Sequence, residues 1–208
     1  MTHTAFVLGN GESRRGIKIA DLKPLGKVYA CNAVYRTEEP DVLVAVDPKM
    51  IIEIAETEYP VTHEVWTNYN AQYDRIERAK KHINMFKPSL GWSSGPTALR
   101  LAADRHHSTI YMLGFDYQGH PNGNDPRQYR YNNLFKETRN YKKENETAIY
   151  YGNWMNQTTR VVSDYTGIQF IRVIPSSGFR PAELEANRNF KHLDMQEFLN
   201  MHSLQLQP

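Results

Sequence analysis

The sequence predicts an α/β protein built on one mostly parallel sheet with helices on both faces. Six short segments rich in Val, Ile, Tyr or Phe are bounded by turn residues, as strands are. Helical patterns separate these segments, and strands that alternate with helices are typical of parallel sheets. A glycine-rich turn follows the first strand, and a long polar stretch interrupts the second half. We therefore expect one Rossmann-like domain with a polar lid insertion.

Each element has its own justification in the sequence. The predicted strands are 4–8, 27–31, 41–46, 61–66, 109–113 and 168–174. The predicted helices are 48–57, 69–82, 95–107 and 153–165. The first helix begins at Pro48, a good first helical residue, and the third carries Leu99, Ala102 and Ala103 at helical spacing. The second is polar and basic, and the fourth ends just before Thr166-Gly167.

Composition narrows the class of protein. A chain of 208 residues with 40% hydrophobic residues has enough apolar material for the core of one domain. No apolar run approaches the roughly 18 to 20 residues of a membrane helix, and no signal peptide is recognisable. The single cysteine, Cys31, excludes an intramolecular disulfide and suits a reducing cytoplasm. A net charge of +2 is too small to indicate a polyanionic partner.

Composition also divides the chain. We expect a nucleotide-binding α/β domain over 1–175, in which 117–150 is a lid insertion poor in aliphatic residues and rich in Tyr, Asn, Arg and Lys. The tail over 176–208 has an apolar pattern typical of a short amphipathic helix. The residues of this pattern are Phe190, Leu193, Met195, Phe198 and Leu199. We expect the helix to pack on the body or on a partner subunit, which would make the protein a homo-oligomer.

The turn after the first strand is the first candidate binding element. Ala5-Phe6-Val7-Leu8 ends in Gly9-Asn10-Gly11-Glu12-Ser13. Glycines allow the backbone to approach a ligand closely, and the Asn10 and Ser13 side chains can bond phosphate or sugar oxygens. Open α/β sheets bind nucleotides at such strand ends. The alternative is an ordinary turn.

Four further clusters follow predicted strands or open a helix. They are Cys31-Asn32, Asp47-Pro48, Ser94-Gly95, and Gly114-Phe115-Asp116-Tyr117. The carboxyl ends of parallel strands share one edge, so we expect these clusters to converge with the first turn. Each also has a structural interpretation: Asn32 as a turn residue, Asp47 and Ser94 as helix caps, and Asp116 as a loop residue. The predicted crevice holds Asn10, Asn32, Asp47, Ser94 and Asp116.

The ordered set of motifs resembles the sialyltransferase-like glycosyltransferases of bacteria. It also resembles uncharacterised proteins grouped with archaeal hydroxymethylpterin diphosphokinases. The matched motifs span residues 5–117 in the same order: Gly9-Asn10-Gly11-x-Ser13, Cys31-Asn32-x-x-Tyr35, Asp47-Pro48, Ser94-Gly95 and Ile110–Tyr117. The resemblance implies an enzyme that binds a nucleotide sugar. It implies that Asn10 contacts donor phosphate and sugar, and that Asn32 contacts the nucleotide.

The resemblance assigns roles to further residues. It implies that Ser94 and Gly95 hold nucleotide and donor, and that Gly114, Asp116 and Tyr117 cradle base, ribose and phosphate. It also implies a tyrosine-bearing lid, for which Tyr129 and Tyr131 are the candidates. Their hydroxyl groups would stabilise the departing phosphate.

The sequence departs from the sialyltransferase pattern at three places, one of which is the arginine before Ser-Gly, replaced here by the run Gly91-Trp92-Ser93. The catalytic histidine of the lid is missing near 146–153, and the nearest histidine is His120. Asp47 replaces a neutral amide and would repel the carboxylate of sialic acid. A neutral sugar on a nucleoside diphosphate fits better, and no metal is required, although Asp47 has the hard oxygens that suit Mg²⁺ or Mn²⁺.

The leading hypothesis is therefore a glycosyltransferase with a nucleotide-sugar donor and a hydroxyl acceptor. Asp116, Asp47, Glu12 and His120 are the candidate catalytic bases. The acceptor could be a glycan, a small molecule or a hydroxymethylated base in DNA; basic and aromatic residues alternate over 127–143. The alternatives are a Mg²⁺-dependent diphosphokinase-like enzyme that uses ATP and a small alcohol, and a non-catalytic nucleotide- or nucleic-acid-binding module.

Overall fold

We describe residues 3–122, 125–147 and 151–207 of the computed structural model, with only the backbone of residues 122 and 125–128. The side chain of Arg127, one of the predicted basic lid residues, lies outside the described part. The strands in chain order are β1 (Thr4–Leu8), β2 (Lys27–Cys31), β3 (Val42–Val44), β4 (Val65–Asn68), β5 (Ile83–Phe86), β6 (Thr109–Leu113), β7 (His120–Asn122), β8 (Asp125–Arg130), β9 (Gln169–Ile174) and β10 (Phe190–Asp194).

The α-helices lie between these strands. They are α1 (Ile19–Leu22), α2 (Pro48–Ala55), α3 (Tyr59–Thr62), α4 (Glu77–His82), α5 (Ser94–Asp104), α6 (Gly152–Asp164), α7 (Ala182–Glu185) and α8 (Met195–His202). Short 3₁₀ helices occupy Glu12–Arg14, Asn32–Arg36 and Ala71–Arg75. In the described part of the chain, no helix is long and apolar enough to cross a membrane.

Eight strands form one parallel sheet, which confirms the predicted fold class. Their order is β10-β9-β6-β1-β2-β3-β4-β5, and each strand is parallel to its neighbours. The sheet grows from β1 towards β5, and the chain then returns through α5 to place β6 on the other side of β1. This reversal makes the gap between β1 and β6 a topological switch point, where open α/β sheets bind ligands.

Both faces of the sheet are covered, as the continuous apolar strands require. On one face, Ala5 and Val7 pack with residues of α5 and α6. On the other, Phe6 and Leu8 pack with residues of α1 and α8. The alternation of apolar side chains along β1 therefore fixes which residues face each layer of helices. The carboxyl end of β1 leads into the turn that begins with Gly9.

Several elements differ from the sequence prediction. The predicted strand 61–66 begins only at Val65, because Val61 lies in α3. The predicted helix 69–82 is two short helices that Ile76, with extended backbone, separates. β5 and β10 were not predicted; β10 occupies the first half of the predicted tail helix, which begins only at Met195. Within the lid, β7 and β8 form an antiparallel hairpin.

Candidate functional site

A cleft of about 610 Å³ opens above the carboxyl ends of β1, β2 and β6. We call it the switch-point cleft. Its walls are the turn 9–11, residues 31–32, the start of α5 at 93–96, the β6 loop 114–117, and the side chains Asn132, Asn133, Tyr151 and Trp154. The structure therefore brings together four of the five predicted strand-end clusters.

The glycines of the cleft have a structural explanation. The Gly9 and Gly11 N–H groups donate to the carbonyls of Leu113 and Gly114 at 2.8 and 2.9 Å. A Cβ atom on Gly9 would lie 2.6 Å from the Gly114 oxygen, and one on Gly114, whose φ is +70°, would lie 2.7 Å from the Gly9 oxygen. The glycines thus allow the β1 and β6 loops to pack against each other, and this packing explains them without the expected close approach to a ligand. A Cβ on Gly95 would lie 3.2 Å from the Phe115 ring.

Asn10 is buried and links three parts of the cleft. Its Nδ2 donates to the Cys31 carbonyl at 3.1 Å, and its backbone oxygen accepts from the Leu134 N–H at 2.8 Å. Its Oδ1 accepts from Arg14 at 3.4 Å. Asn10 therefore ties the first turn to β2 and to the lid, and its amide group is already occupied by the protein.

Asn32 and Ser94 meet across the cleft. The Ser94 hydroxyl donates to Asn32 Oδ1 at 2.8 Å and accepts from the Val46 N–H at 3.1 Å. Asn32 has a φ of 56°, a left-handed conformation that asparagine tolerates better than most residues. These bonds fix the Asn32 amide, and its Nδ2 has no hydrogen-bond partner in the described structure.

The first turn of α5 presents unpaired backbone donors to the same space. Ser93 caps the helix without a side-chain hydrogen bond, and the Thr97 N–H is the first to bond within the helix, at 3.0 Å to the Ser93 oxygen. Pro96 has no N–H, so Ser94 and Gly95 carry the two N–H groups without a partner among the described residues. Their partial positive charge favours an anion.

Asp116 lies between the switch-point cleft and a neighbouring pocket. Its carboxylate accepts from the Ser13 N–H at 3.1 Å, from the Ser13 hydroxyl, and from Asn132 Nδ2 at 3.0 Å. A Cβ on Gly11 would overlap this carboxylate. Asp116 is therefore bound on both oxygens by its own chain, and Ser13, which was expected to bind phosphate, donates its hydroxyl to Asp116 instead.

Asp47 lies in a second, adjoining cavity, which we call the amide groove. It occupies about 1190 Å³ and shares Asn32, Ser93, Ser94, Asn133 and Trp154 with the switch-point cleft. Asp47 caps α2 by accepting from the Lys49 N–H at 2.8 Å, so the structural interpretation of this residue is correct. It also faces the groove, one cavity away from its predicted position.

Glu12 and His120 pair in a third cavity, on the far side of Asp116. His120 Nε2 lies 2.9 Å from Glu12 Oε2, and Lys136 Nζ lies 2.8 Å from Glu12 Oε1. Burial acts to raise the pKa of Glu12, but the bonds from Lys136 and His120 outweigh it, so the pKa is lowered. Asp116 and Asn132 line both this cavity and the switch-point cleft. The carboxylate is thus held ionised beside a partly exposed imidazole.

The three candidate tyrosines lie in different places. Tyr117 lines the cleft, but its hydroxyl donates to Thr158 at 2.6 Å and burial raises its pKa. Tyr131 is 5% exposed and lines the amide groove. Tyr129 accepts from Gln118 at 3.0 Å and lines none of the three cavities. Tyr117 and Tyr131 therefore line the cleft and the groove, respectively, and Tyr129 lies outside both.

Arg172 and Tyr141 were not predicted from the sequence. Arg172 is 1% exposed and donates to the carbonyls of Phe115, Asp116 and Phe179 at 2.6, 3.1 and 2.7 Å. Its signal in the sequence was a lone charge inside the apolar strand β9. Tyr141 accepts from the Ala33 N–H at 3.3 Å across 108 residues of sequence, a contact that no local pattern encodes.

Metal ligands do not cluster in the described residues. Within 3–122, 125–147 and 151–207, no three His, Cys, Asp or Glu side chains are arranged to hold a metal ion. Asp47, the candidate ligand, and Asp116 line different cavities. Burial raises the pKa of Cys31 to about 12, so its thiol stays protonated.

The fold is similar to that of a solved structure, the MAf glycosyltransferase from Magnetospirillum magneticum AMB-1. The TM-score is 0.54 at 13% sequence identity, over 99% of this chain and 35% of that one. This chain therefore spans about a third of the length of that glycosyltransferase. No protein-family model and no curated protein matches the sequence. At this identity, the likeness shows a common α/β fold.

Proposed function

We propose that the protein is a glycosyltransferase that binds a nucleotide-sugar donor in the switch-point cleft and transfers the sugar to a hydroxyl acceptor. The observation that carries the proposal is the set of unpaired donors in this cleft, namely the Ser94 and Gly95 N–H groups and Asn32 Nδ2. The fold shared with a glycosyltransferase and the resemblance to sialyltransferase-like enzymes support it.

The donors suit a phosphate that carries the sugar. The phosphate gains negative charge as the bond to the sugar breaks, and fixed N–H dipoles at a helix N-terminus stabilise that charge without rearrangement. Phe115, Tyr151 and Trp154 give the cleft an apolar wall for the flat face of a base. Charge stabilisation at the phosphate and an aromatic surface for the base together fit a nucleotide.

The acceptor hydroxyl must lose a proton, and the four candidate bases differ in their surroundings. Asp116 is held on both oxygens by Ser13 and Asn132, and Asp47 caps α2. His120 is 41% exposed, and Glu12 orients its ring because His120 Nε2 lies 2.9 Å from Glu12 Oε2. The pair lies in the third cavity and lines neither the cleft nor the amide groove, so the choice among the four candidate bases stays open.

A ligand panel tests the proposal. Thermal unfolding is followed with CMP, UDP, GDP and ADP sugars, with the free nucleotides and with ATP, each with and without Mg²⁺. A ligand at 100 times its dissociation constant stabilises a protein by about 2.7 kcal/mol, a shift of about 5 to 10 °C at this chain length. Asn32→Ala should abolish the shift, while Asn200→Ala, an exposed asparagine of α8, should keep it.

The outcomes separate the alternatives. Sugar release from a nucleotide sugar, measured with and without a hydroxyl acceptor, supports glycosyl transfer. AMP release from ATP alone would favour the diphosphokinase-like enzyme, and binding without turnover would favour a non-catalytic module. If no nucleotide or nucleotide sugar shifts the unfolding temperature, the proposal is wrong.

Transfer to hydroxymethylated DNA and assembly as a homo-oligomer stay predictions. The first is checked with such DNA as acceptor, and the second is checked by light scattering.

A further inference from the structure

The amide groove is lined by uncharged polar and aromatic side chains. Asp47 is the single charged side chain on its walls, and no lysine, arginine or histidine of the described chain lines it. Trp92, Trp154 and Tyr131 supply flat apolar surfaces. Asp47 keeps one carboxylate oxygen without a hydrogen-bond partner among the described residues, whereas Asp116 in the cleft is bonded on both oxygens. An anionic ligand in the groove would therefore meet an uncompensated charge, and the lining disfavours one.

Three amide side chains are fixed with their NH₂ groups free. The oxygens of Asn32, Asn133 and Gln157 accept from Ser94 Oγ at 2.8 Å, from the Phe135 N–H at 2.9 Å and from the Ser93 N–H at 2.9 Å, respectively. None of the three NH₂ groups has a partner in the described structure. Because their oxygens are held by the protein, these amides present donors of fixed orientation to the groove.

Acceptors face the same space. Asn140 donates its Nδ2 to Glu53 at 2.7 Å, which leaves its oxygen free, and Asp47 uses only Oδ1 to cap α2. Asn153 is exposed, and its side chain has no hydrogen bond among the described residues. A ligand for this surface must both donate and accept, which is the property of a hydroxyl group. Several hydroxyl groups on a ring with apolar C–H faces suit the amides and the indoles at once.

We propose that the amide groove is a binding site for a neutral carbohydrate, without a carboxylate or phosphate on the bound sugar. The identification of this sugar as the donor's or the acceptor's rests on the proposed function. The cleft and the groove share five wall residues, so a nucleotide in the cleft would direct its sugar into the groove. A neutral glycan is the other source of the same chemistry.

Two matched sugars test the charge requirement. Calorimetric titration compares three ligands: a nucleoside diphosphate alone, its hexose derivative and its hexuronate derivative. The two sugar derivatives differ only in the carboxylate of the hexuronate. The hexose should add affinity over the nucleotide, and the hexuronate should not. Asp47→Asn keeps the helix cap and removes the charge, so hexuronate binding should improve by about fivefold.

Two matched variants of α6 test the location. Asn153 and Asn156 are both exposed, three residues apart on one helix, and only Asn153 lines the groove. Asn153→Ala should weaken binding of the neutral sugar by about 3- to 10-fold and leave binding of the nucleotide alone unchanged. Asn156→Ala should change neither. Free neutral oligosaccharides, followed by saturation-transfer NMR, form a second arm that requires no nucleotide.

The arms separate the two proposals. If no nucleotide binds but a neutral oligosaccharide binds in a manner that depends on Asn153, the groove proposal stands and the proposed function fails. If nucleotides bind while neither the hexose nor any oligosaccharide adds binding, the groove proposal fails alone. Equal or tighter binding of the hexuronate, or equal effects of the two asparagine variants, would also overturn it.

Discussion

Replacement of Arg172 by methionine should destabilise the fold and disorganise the β6 loop. The guanidinium is 1% exposed and its three hydrogen bonds all end on backbone carbonyls, two of them at Phe115 and Asp116. Methionine is of similar length and fills the space, but it donates nothing. The perturbation therefore removes the donors and leaves three carbonyls without them.

The magnitude follows from the bonds that are lost. A hydrogen bond from a charged donor contributes about 1.5 to 3 kcal/mol, and the release of a buried cation offsets part of the loss. We expect Arg172→Met to lower the free energy of unfolding by about 3 to 5 kcal/mol. At this chain length, that is a fall of about 6 to 20 °C in unfolding temperature. Arg172→Lys keeps the charge but lacks the planar guanidinium group. Its loss in free energy of unfolding should therefore be smaller than that of Arg172→Met, but not zero.

Urea denaturation of Arg172→Met, with Arg188→Met as control, measures the effect. Arg188 is exposed and its side chain has no bond among the described residues, so its replacement should change the free energy by less than about 0.5 kcal/mol. Nucleotide affinity is then measured below the unfolding transition, where Arg172→Met should bind more weakly. Equal unfolding free energies for the Arg172 and Arg188 variants would refute this reasoning.

Three further predictions follow from single side chains. Gly114→Ala should cost more stability than Gly91→Ala, because both have positive φ but only Gly114 lacks room for a Cβ; equal unfolding temperatures would contradict this. Burial and two nearby arginines lower the pKa of His192 to about 4, so its contribution to stability is complete above pH 6.5 and is lost as the pH falls towards 4. His192→Leu should flatten the stability curve in that window, measured by denaturation at each pH, and an unchanged slope would be evidence against it. Cys31 should resist iodoacetamide at pH 8 until the chain unfolds, and rapid labelling of the native protein, detected by mass spectrometry, would show that the thiol is accessible.

The strands that the sequence predicted are those buried on both faces. Four central strands have continuous apolar sequences: β1, β2, β6 and β9. Such sequences are typical of strands in a sheet that is covered on both faces. The missed strands, β5 and β10, lie at the two edges of the sheet. Their sequences, Ile-Asn-Met-Phe and Phe-Lys-His-Leu-Asp, mix buried with exposed positions over four or five residues. So short a pattern does not separate a strand from a helix.

The site was predictable where the parallel sheet itself brings residues together. Asn10, Asn32 and Asp116 each follow a strand, and the shared polarity of the strands places all three at one cleft. Arg172 and Tyr141 reach the same region from a strand interior and from the lid, respectively. Apart from Phe179, which lies seven residues from Arg172, the partners in these bonds lie 56 to 131 residues away in sequence, and only the tertiary fold brings them into contact.

Two buried arginines stand behind the walls of the cleft, in which Asp116 is the one charged side chain among the described residues. Arg14 donates to the Gly9 carbonyl at 2.6 Å, and Arg172 donates to those of Phe115 and Asp116, so both cations stand behind the loops that form the walls. No lysine or arginine in the described part of the chain lines the cleft itself. Carbonyls that accept from a buried cation are held in place, and the positive charge behind them raises the potential in the cleft. A phosphate would therefore meet fixed N–H dipoles backed by fixed charges, and no flexible side chain would need to be ordered when it binds.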